Sequence, residues 1–127
     1  MISRYVFDTG ALIAAERGRE RASRFLRLAQ AGWARILVPL PVIAEWWRGR
    51  SDRRDEILAA TRVVASVDIA KAAGIALAKA RDVDSEVTID AIVMATAAVL
   101  DAIVITQDPD DMLRFGTHFP KVVVLAA

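Results

Sequence analysis

Apolar runs and helical repeats alternate along this chain. Residues 2–7 read as a strand destined for burial and 36–39 as a second one. Between them Ala22, Phe25, Leu26 and Ala29 recur at i, i+3, i+4, i+7. That spacing predicts a helix over 11–31, interrupted near Gly18 and closed by Gly32. Pro41 is placed to open a helix carrying Glu45. Further helices are predicted over 52–63, 68–80 and 85–100, then strands over 103–106 and 122–125 around a short helix from Pro109. Such alternation predicts an α/β protein whose parallel sheet is covered by helices on both faces. No repeat, linker or low-complexity stretch divides the 127 residues, so one domain over 1–127 is expected.

Four acids interrupt the apolar pattern. Asp8 ends the first run, Glu45 follows Val42-Ile43-Ala44, Asp90 sits between Ile89 and Ala91-Ile92-Val93, and Asp108 follows Ile103-Val104-Ile105-Thr106-Gln107. A carboxylate near a core stays ionised only when hydrogen-bonded, paired with a cation or bound to metal. Ligands of open parallel sheets gather beyond the carboxyl ends of the strands. Asp8 and Asp108 belong on that rim, and Glu45 and Asp90 can reach it from neighbouring helices. A cluster of this kind suits a hard divalent ion such as Mg²⁺ or Mn²⁺.

Each acid also has a structural explanation. Asp8 can cap the first helix, and Asp108-Pro109-Asp110-Asp111 reads as N-cap, proline at N1 and an acid at N3. Asp90 can complement a helix dipole. Glu45 is set among Val42, Ile43, Trp46 and Trp47, with Arg48 as its nearest cation in sequence. Trp46 and Trp47, adjacent on a helix, face different ways, so one is expected in the core and the other against a partner or an RNA base.

Composition sharpens the picture. A hydrophobic content of 55% is high and points to a protein partner. No uncharged stretch approaches the length of a membrane span, and no signal peptide is read at the N-terminus. The absence of cysteine excludes disulfides and thiolate chemistry and fits a cytoplasmic location. Net charge is only +1, yet residues 1–62 hold 12 Arg against 7 acids, while residues 63–127 hold 5 cations against 9 acids. Arginine suits phosphate, and the group Arg48, Arg50, Arg53 and Arg54 is the expected phosphate contact. Arg17, Arg19, Arg21, Arg24 and Arg27 serve equally well as a solvated helix face.

The segments Phe7-Asp8-Thr9-Gly10-Ala11-Leu12, Val42-Ile43-Ala44-Glu45-Trp46-Trp47-Arg48-Gly49, Ile89-Asp90-Ala91-Ile92-Val93-Met94-Ala95-Thr96-Ala97 and Val104-Ile105-Thr106-Gln107-Asp108-Pro109-Asp110-Asp111-Met112 resemble, in order, the signature of PIN-domain ribonucleases. Size and spacing are most similar to VapC-type toxins of toxin–antitoxin pairs. The resemblance implies a three-layer PIN-like fold and a Mg²⁺- or Mn²⁺-dependent endoribonuclease acting on RNA. It also implies an antitoxin that holds the enzyme and a homodimer. Asp8, Glu45, Asp90 and Asp108 match the acidic metal-site positions, with Glu45 as ligand or proton acceptor. Thr106 matches the hydroxyl residue before the last acid and is expected to orient water, and Thr9 matches the small polar residue after the first acid. Asp111 falls where a further acid often occurs. Asp101 stands where many relatives carry glycine or a small polar residue. His118, the only histidine, lies outside every motif. Two rival readings fit less well: a phosphoacceptor receiver module of similar length wants paired acids after the first strand and a late lysine, and a haloacid-dehalogenase-like phosphatase wants Asp-x-Asp where Gly10 stands. A non-catalytic binding module keeping the same fold is the third alternative.

Overall fold

The structure, a computed structural model, describes residues 2–81 and 83–127. β1 (Ser3–Phe7) leads into α1 (Thr9–Glu16) and α2 (Glu20–Gln30), followed by β2 (Ala34–Pro39), α3 (Leu40–Trp46) and α4 (Asp52–Ala59). β3 (Thr61–Val64), α5 (Val67–Leu77), α6 (Ser85–Leu100), β4 (Ile103–Thr106), α7 (Pro109–Leu113) and β5 (Val124–Ala126) complete the order. The five strands form one parallel sheet in the order β3-β2-β1-β4-β5. α6 crosses β1, β2 and β4 and carries α5 on its outer side, while α1 gathers α2, α3 and α4 about it. The result is the expected three-layer α/β architecture.

Sequence accounts for most boundaries. The predicted 11–31 helix is two helices, and Gly18 (φ +71°) lies in the break between them. α2 ends in a Schellman motif: Gly32 (φ +82°) donates its N–H to Ala29 O and Trp33 donates to Leu28 O. Ser51, Ser66 and Asp84 cap α4, α5 and α6 through side-chain oxygens. One predicted element is wrong at its end. The helix expected over 52–63 stops at Ala59, Thr61 Oγ1 donates to Leu58 O, and Thr61–Val64 turns into the edge strand β3. Three of its four residues are β-branched, and a place beside β2 satisfies their backbone groups. The last strand also lies later than expected, over Val124–Ala126.

Val6, Phe7, Leu12, Val38, Met94, Val104 and Ile105 are fully enclosed between the layers. The sheet order places the switch point at β1 and β4, because β2 and β3 run outward on one side and β5 on the other. A receiver-type sheet has the order 2-1-3-4-5, so that alternative is excluded by topology. The carboxyl ends of β1 and β4, where Asp8 and Asp108 follow, are where a ligand crevice belongs.

Asp101 resolves a point that the sequence left without chemistry. It is the C-cap of α6, held in the left-handed conformation (φ 53°, ψ 60°) with its N–H donated to Ala97 O. Glycine adopts this conformation without strain. Asp101→Gly should therefore raise stability by about 0.5–1 kcal/mol, read as a higher urea midpoint with an unchanged slope. A lower midpoint would show that the Asp side chain contributes more than its backbone costs.

Candidate active site: an acid-lined cavity at the sheet switch point

β1 delivers Asp8 to the rim, where its two carboxylate oxygens have different partners. Oδ1 accepts from the Ala11 backbone N–H at 2.8 Å and so caps α1. Oδ2 accepts from the Thr106 hydroxyl at the end of β4. Capping and site-building are thus served by one residue. Thr106 is buried, and its oxygen also accepts from the Asp108 N–H at 3.0 Å. Its hydroxyl proton is donated to Asp8, so Thr106 orients Asp8 and the Asp108 backbone.

Glu45, projecting from α3, accepts from the Thr9 hydroxyl at 2.6 Å. Thr9 is therefore Glu45's partner, and among the described residues Arg48 makes no ion pair with it. Asp108 occupies the N-cap position of α7 but its side chain makes no capping bond. The capping explanation fails there, and the carboxylate is left exposed beside Thr106. Asp90 lies in the second turn of α6, half-buried.

These residues line one cavity of about 290 Å³, together with Asp111 and Glu86. Glu86 had no role in the sequence reading. Its signal was present, since Glu86 and Asp90 are i, i+4 neighbours on one helix face. Asp111 pairs with Arg114 at 3.1 Å. His118 lies elsewhere, in a separate cavity beside Phe115.

Charge is held here against its ordinary preference. Burial pushes the Asp8 carboxyl above the usual range, partly offset by the Thr106 and Ala11 hydrogen bonds, and Glu45 and Asp108 push it further. Asp90 is raised to about 7, first by burial and then by the neighbouring Asp8, with Asp111 and Glu86 adding to it and Arg114 opposing. Glu16 behaves oppositely: the Arg54 guanidinium grips it with two hydrogen bonds at 3.1 Å and holds its carboxyl low. Among the described residues the acids of the cavity lack such a partner, Asp111 excepted.

An all-carboxylate and hydroxyl donor set fits a hard divalent cation rather than a thiophilic one. Among the described residues, however, no three carboxylates already stand close enough to share one ion. The expected four-ligand cluster is a common cavity and not a closed cage.

The expected arginine contact also changes. Arg50 pairs with Asp55 at 2.8 Å, Arg53 with Glu56 at 3.1 Å and Arg54 with Glu16. Of the four, Arg48 alone makes no ion pair among the described residues. Trp46 is buried, its Nε1–H donated to Glu16, and Trp47 packs edge-on against it while remaining partly exposed.

A doubly covered parallel sheet with an acid-lined cavity at its switch point defines a class of α/β protein with an anionic site. The sequence matches the model of the PIN domain over residues 5–116, and the chain belongs to that family. No curated protein matches it. Among solved structures it is similar to VapBC2 from Rickettsia felis bound to a DNA fragment from its promoter, at 14% identity and TM-score 0.68 over 98% of each chain. It is also similar to DNA-bound VapBC from Salmonella typhimurium, at 17% identity and TM-score 0.64 over 99% of this chain and 98% of that one. PAE2754 from Pyrobaculum aerophilum follows the same fold, at 17% identity and TM-score 0.62 over 98% of this chain and 92% of that one. At these identities the likeness is one of fold.

The raised Asp90 carboxyl gives a pH prediction. A group whose proton affinity is higher in the folded state contributes stability that is fully present below its ordinary value of 3.8 and is lost as pH rises through about 7. In EDTA, melting temperature should fall over that window, and Asp90→Asn should flatten the fall. The variant should match wild type near the acidic end and exceed it above neutrality, by on the order of 1 kcal/mol for a half-exposed carboxyl screened by solvent. Parallel curves for the two proteins would mean that Asp90 carries no electrostatic strain.

Proposed function

We propose that this chain is a divalent-metal-dependent endoribonuclease and the toxin of a toxin–antitoxin pair. The observation that carries the catalytic part is the convergence of Asp8, Glu45, Asp90 and Asp108 on one cavity, with Asp8 and Asp90 held above the usual carboxyl range. Carboxylates strained in this way lack a counter-ion, and Mg²⁺ or Mn²⁺ is the counter-ion that their oxygens suit. In this reading Asp8, Asp90 and Asp108 are ligands, and Glu45 either ligates or receives a proton from the attacking water. A bound ion supplies Lewis acidity to a phosphoryl oxygen and lowers the pKa of water.

The chain's own groups set the geometry. Thr106 fixes the Asp8 carboxylate and, through the Asp108 N–H, the start of α7. Thr9 aims Glu45. Asp111, neutralised by Arg114, stands at the margin of the cavity. No histidine is needed for proton transfer in this reading, since Glu45 can receive the proton within the cavity.

Two of the similar structures are VapBC proteins, which supports an antitoxin as the protein partner. Exposed apolar side chains support it further: Trp33, Val67, Ile75 and Leu40 are all more than half exposed. We read the chain as a homodimer as well. Among the described residues no helix is long and apolar enough to cross a membrane, and we place the protein in the cytoplasm. Co-purification with the product of a small adjacent reading frame checks the partner, and a sedimentation profile checks the dimer.

Pure protein incubated with structured RNA should cleave it with Mg²⁺ or Mn²⁺ and not with EDTA. Asp8→Asn should abolish cleavage. Mn²⁺ at a hundredfold excess over its dissociation constant should stabilise wild type by about 2.7 kcal/mol, and Asp8→Asn and Asp90→Asn should lose that shift. If these variants keep the full shift, the acids do not hold the ion.

A further inference from the structure

A second cavity, of about 370 Å³, adjoins the acidic one and has the opposite character. Lys79 and Arg81, just beyond α5, face it from one side, and Arg114 and His118 face it from the segment after α7. Cations after a helix C-terminus commonly complement its exposed carbonyls. That explanation covers Lys79 and Arg81 singly but not the convergence of Arg114 and His118 from another segment. Lys79 and Arg81 make no ion pair among the described residues. Arg114 lines the basic cavity while bonding Asp111 at 3.1 Å, and Asp111 lines the acidic one. The Arg114–Asp111 pair is therefore the wall between a cavity suited to a cation and a cavity suited to an anion.

We propose that the Lys79–Arg81–Arg114–His118 cavity is a phosphodiester subsite that holds the RNA strand next to the bond being cleaved. The inference rests on the nuclease reading and deepens it by assigning where the substrate backbone runs. A strand whose scissile phosphate meets the acids must bring a neighbouring phosphate past Arg114, and Lys79 and Arg81 give that phosphate two charges not engaged with carboxylates among the described residues. The acids alone would repel it. The subsite takes any sequence, since a phosphate carries no base identity. Arg50, Arg53 and Arg54, tied to their acidic partners, are poorer contacts than their number implies.

The test compares wild type, Lys79→Ala/Arg81→Ala and a control, Arg21→Ala/Arg27→Ala, which removes the same charge from the exposed face of α2. Cleavage of a long single-stranded RNA is measured with Mg²⁺, and its binding is measured in EDTA across a salt series. The cavity variant should raise KM about tenfold with kcat unchanged, and its salt dependence should be shallower by about 1.4 in slope for two lost single-strand contacts. A charge-retaining pair, Lys79→Arg/Arg81→Lys, should restore wild-type KM. A dinucleotide substrate, too short to reach the cavity, should be cleaved alike by wild type and the cavity variant. Wild-type KM and slope in the cavity variant, with RNA still cleaved, overturn the subsite and leave the nuclease reading standing. Equal weakening by the control also overturns it, because net charge then suffices. A wild type that neither binds nor cuts RNA overturns the nuclease reading, and the subsite falls with it.

Discussion

Asp8 sits where β1 leaves the sheet, in surroundings that penalise its charge, and the organisation of the site depends on how that charge is kept. Two hydrogen bonds reach it from different parts of the chain, one from the first turn of α1 and one from Thr106 on β4, nearly a hundred residues away in sequence. They fix the carboxylate but do not neutralise it, since burial outweighs them. Thr106 passes the constraint on to the Asp108 backbone. Asp90 then inherits the unneutralised charge of Asp8 as part of its own raised proton affinity. A site built this way gathers carboxylates whose charge its own hydrogen bonds do not balance, and a close-packed core cannot rearrange to relieve them.

Much of this was legible in the sequence because the relevant signals are local. A carboxylate directly after an apolar run marks a strand end, and parallel α/β architecture sends strand ends to one rim. Asp8 and Asp108 could be placed near each other for that reason, with Glu45 and Asp90 able to reach them from neighbouring helices. Glu86 could have been added from its i, i+4 spacing to Asp90. What could not be read was pairing. Thr9 with Glu45 and Thr106 with Asp8 are contacts between elements, and nothing in the order of residues distinguishes a hydroxyl that orients water from one that orients a carboxylate. The capping pattern at Asp108 was present in the sequence, yet the side chain stays uncommitted at the site. β3 was missed because Thr61–Val64 continues a helical stretch without a proline or glycine to stop it; its β-branched residues become a strand only beside β2.

Arginine illustrates the same limit. Its abundance in the first half of the chain reads as affinity for phosphate, but Arg50, Arg53 and Arg54 satisfy Asp55, Glu56 and Glu16. The Arg54–Glu16–Trp46 network instead anchors α4 and α3 to the end of α1, and so supports the helix from which Glu45 projects. The cations that converge on a cavity beside the acids, Lys79, Arg81 and Arg114, lie in the second half, where composition alone would place a deficit. Local arrangement, and not the balance of charge along the sequence, decides which side chains can meet a ligand.

The central claim is that the acids at the ends of β1 and β4, with those of α3 and α6, hold a divalent ion between them. A crystal grown with Mn²⁺ and measured at a wavelength where manganese scatters anomalously tests it directly. The account predicts an anomalous peak inside the acid-lined cavity, within coordination distance of Asp8 and at least one of Asp90 and Asp108, and its disappearance in Asp8→Asn. A cavity without a peak at saturating Mn²⁺, or a peak confined to other surface carboxylates, would contradict it.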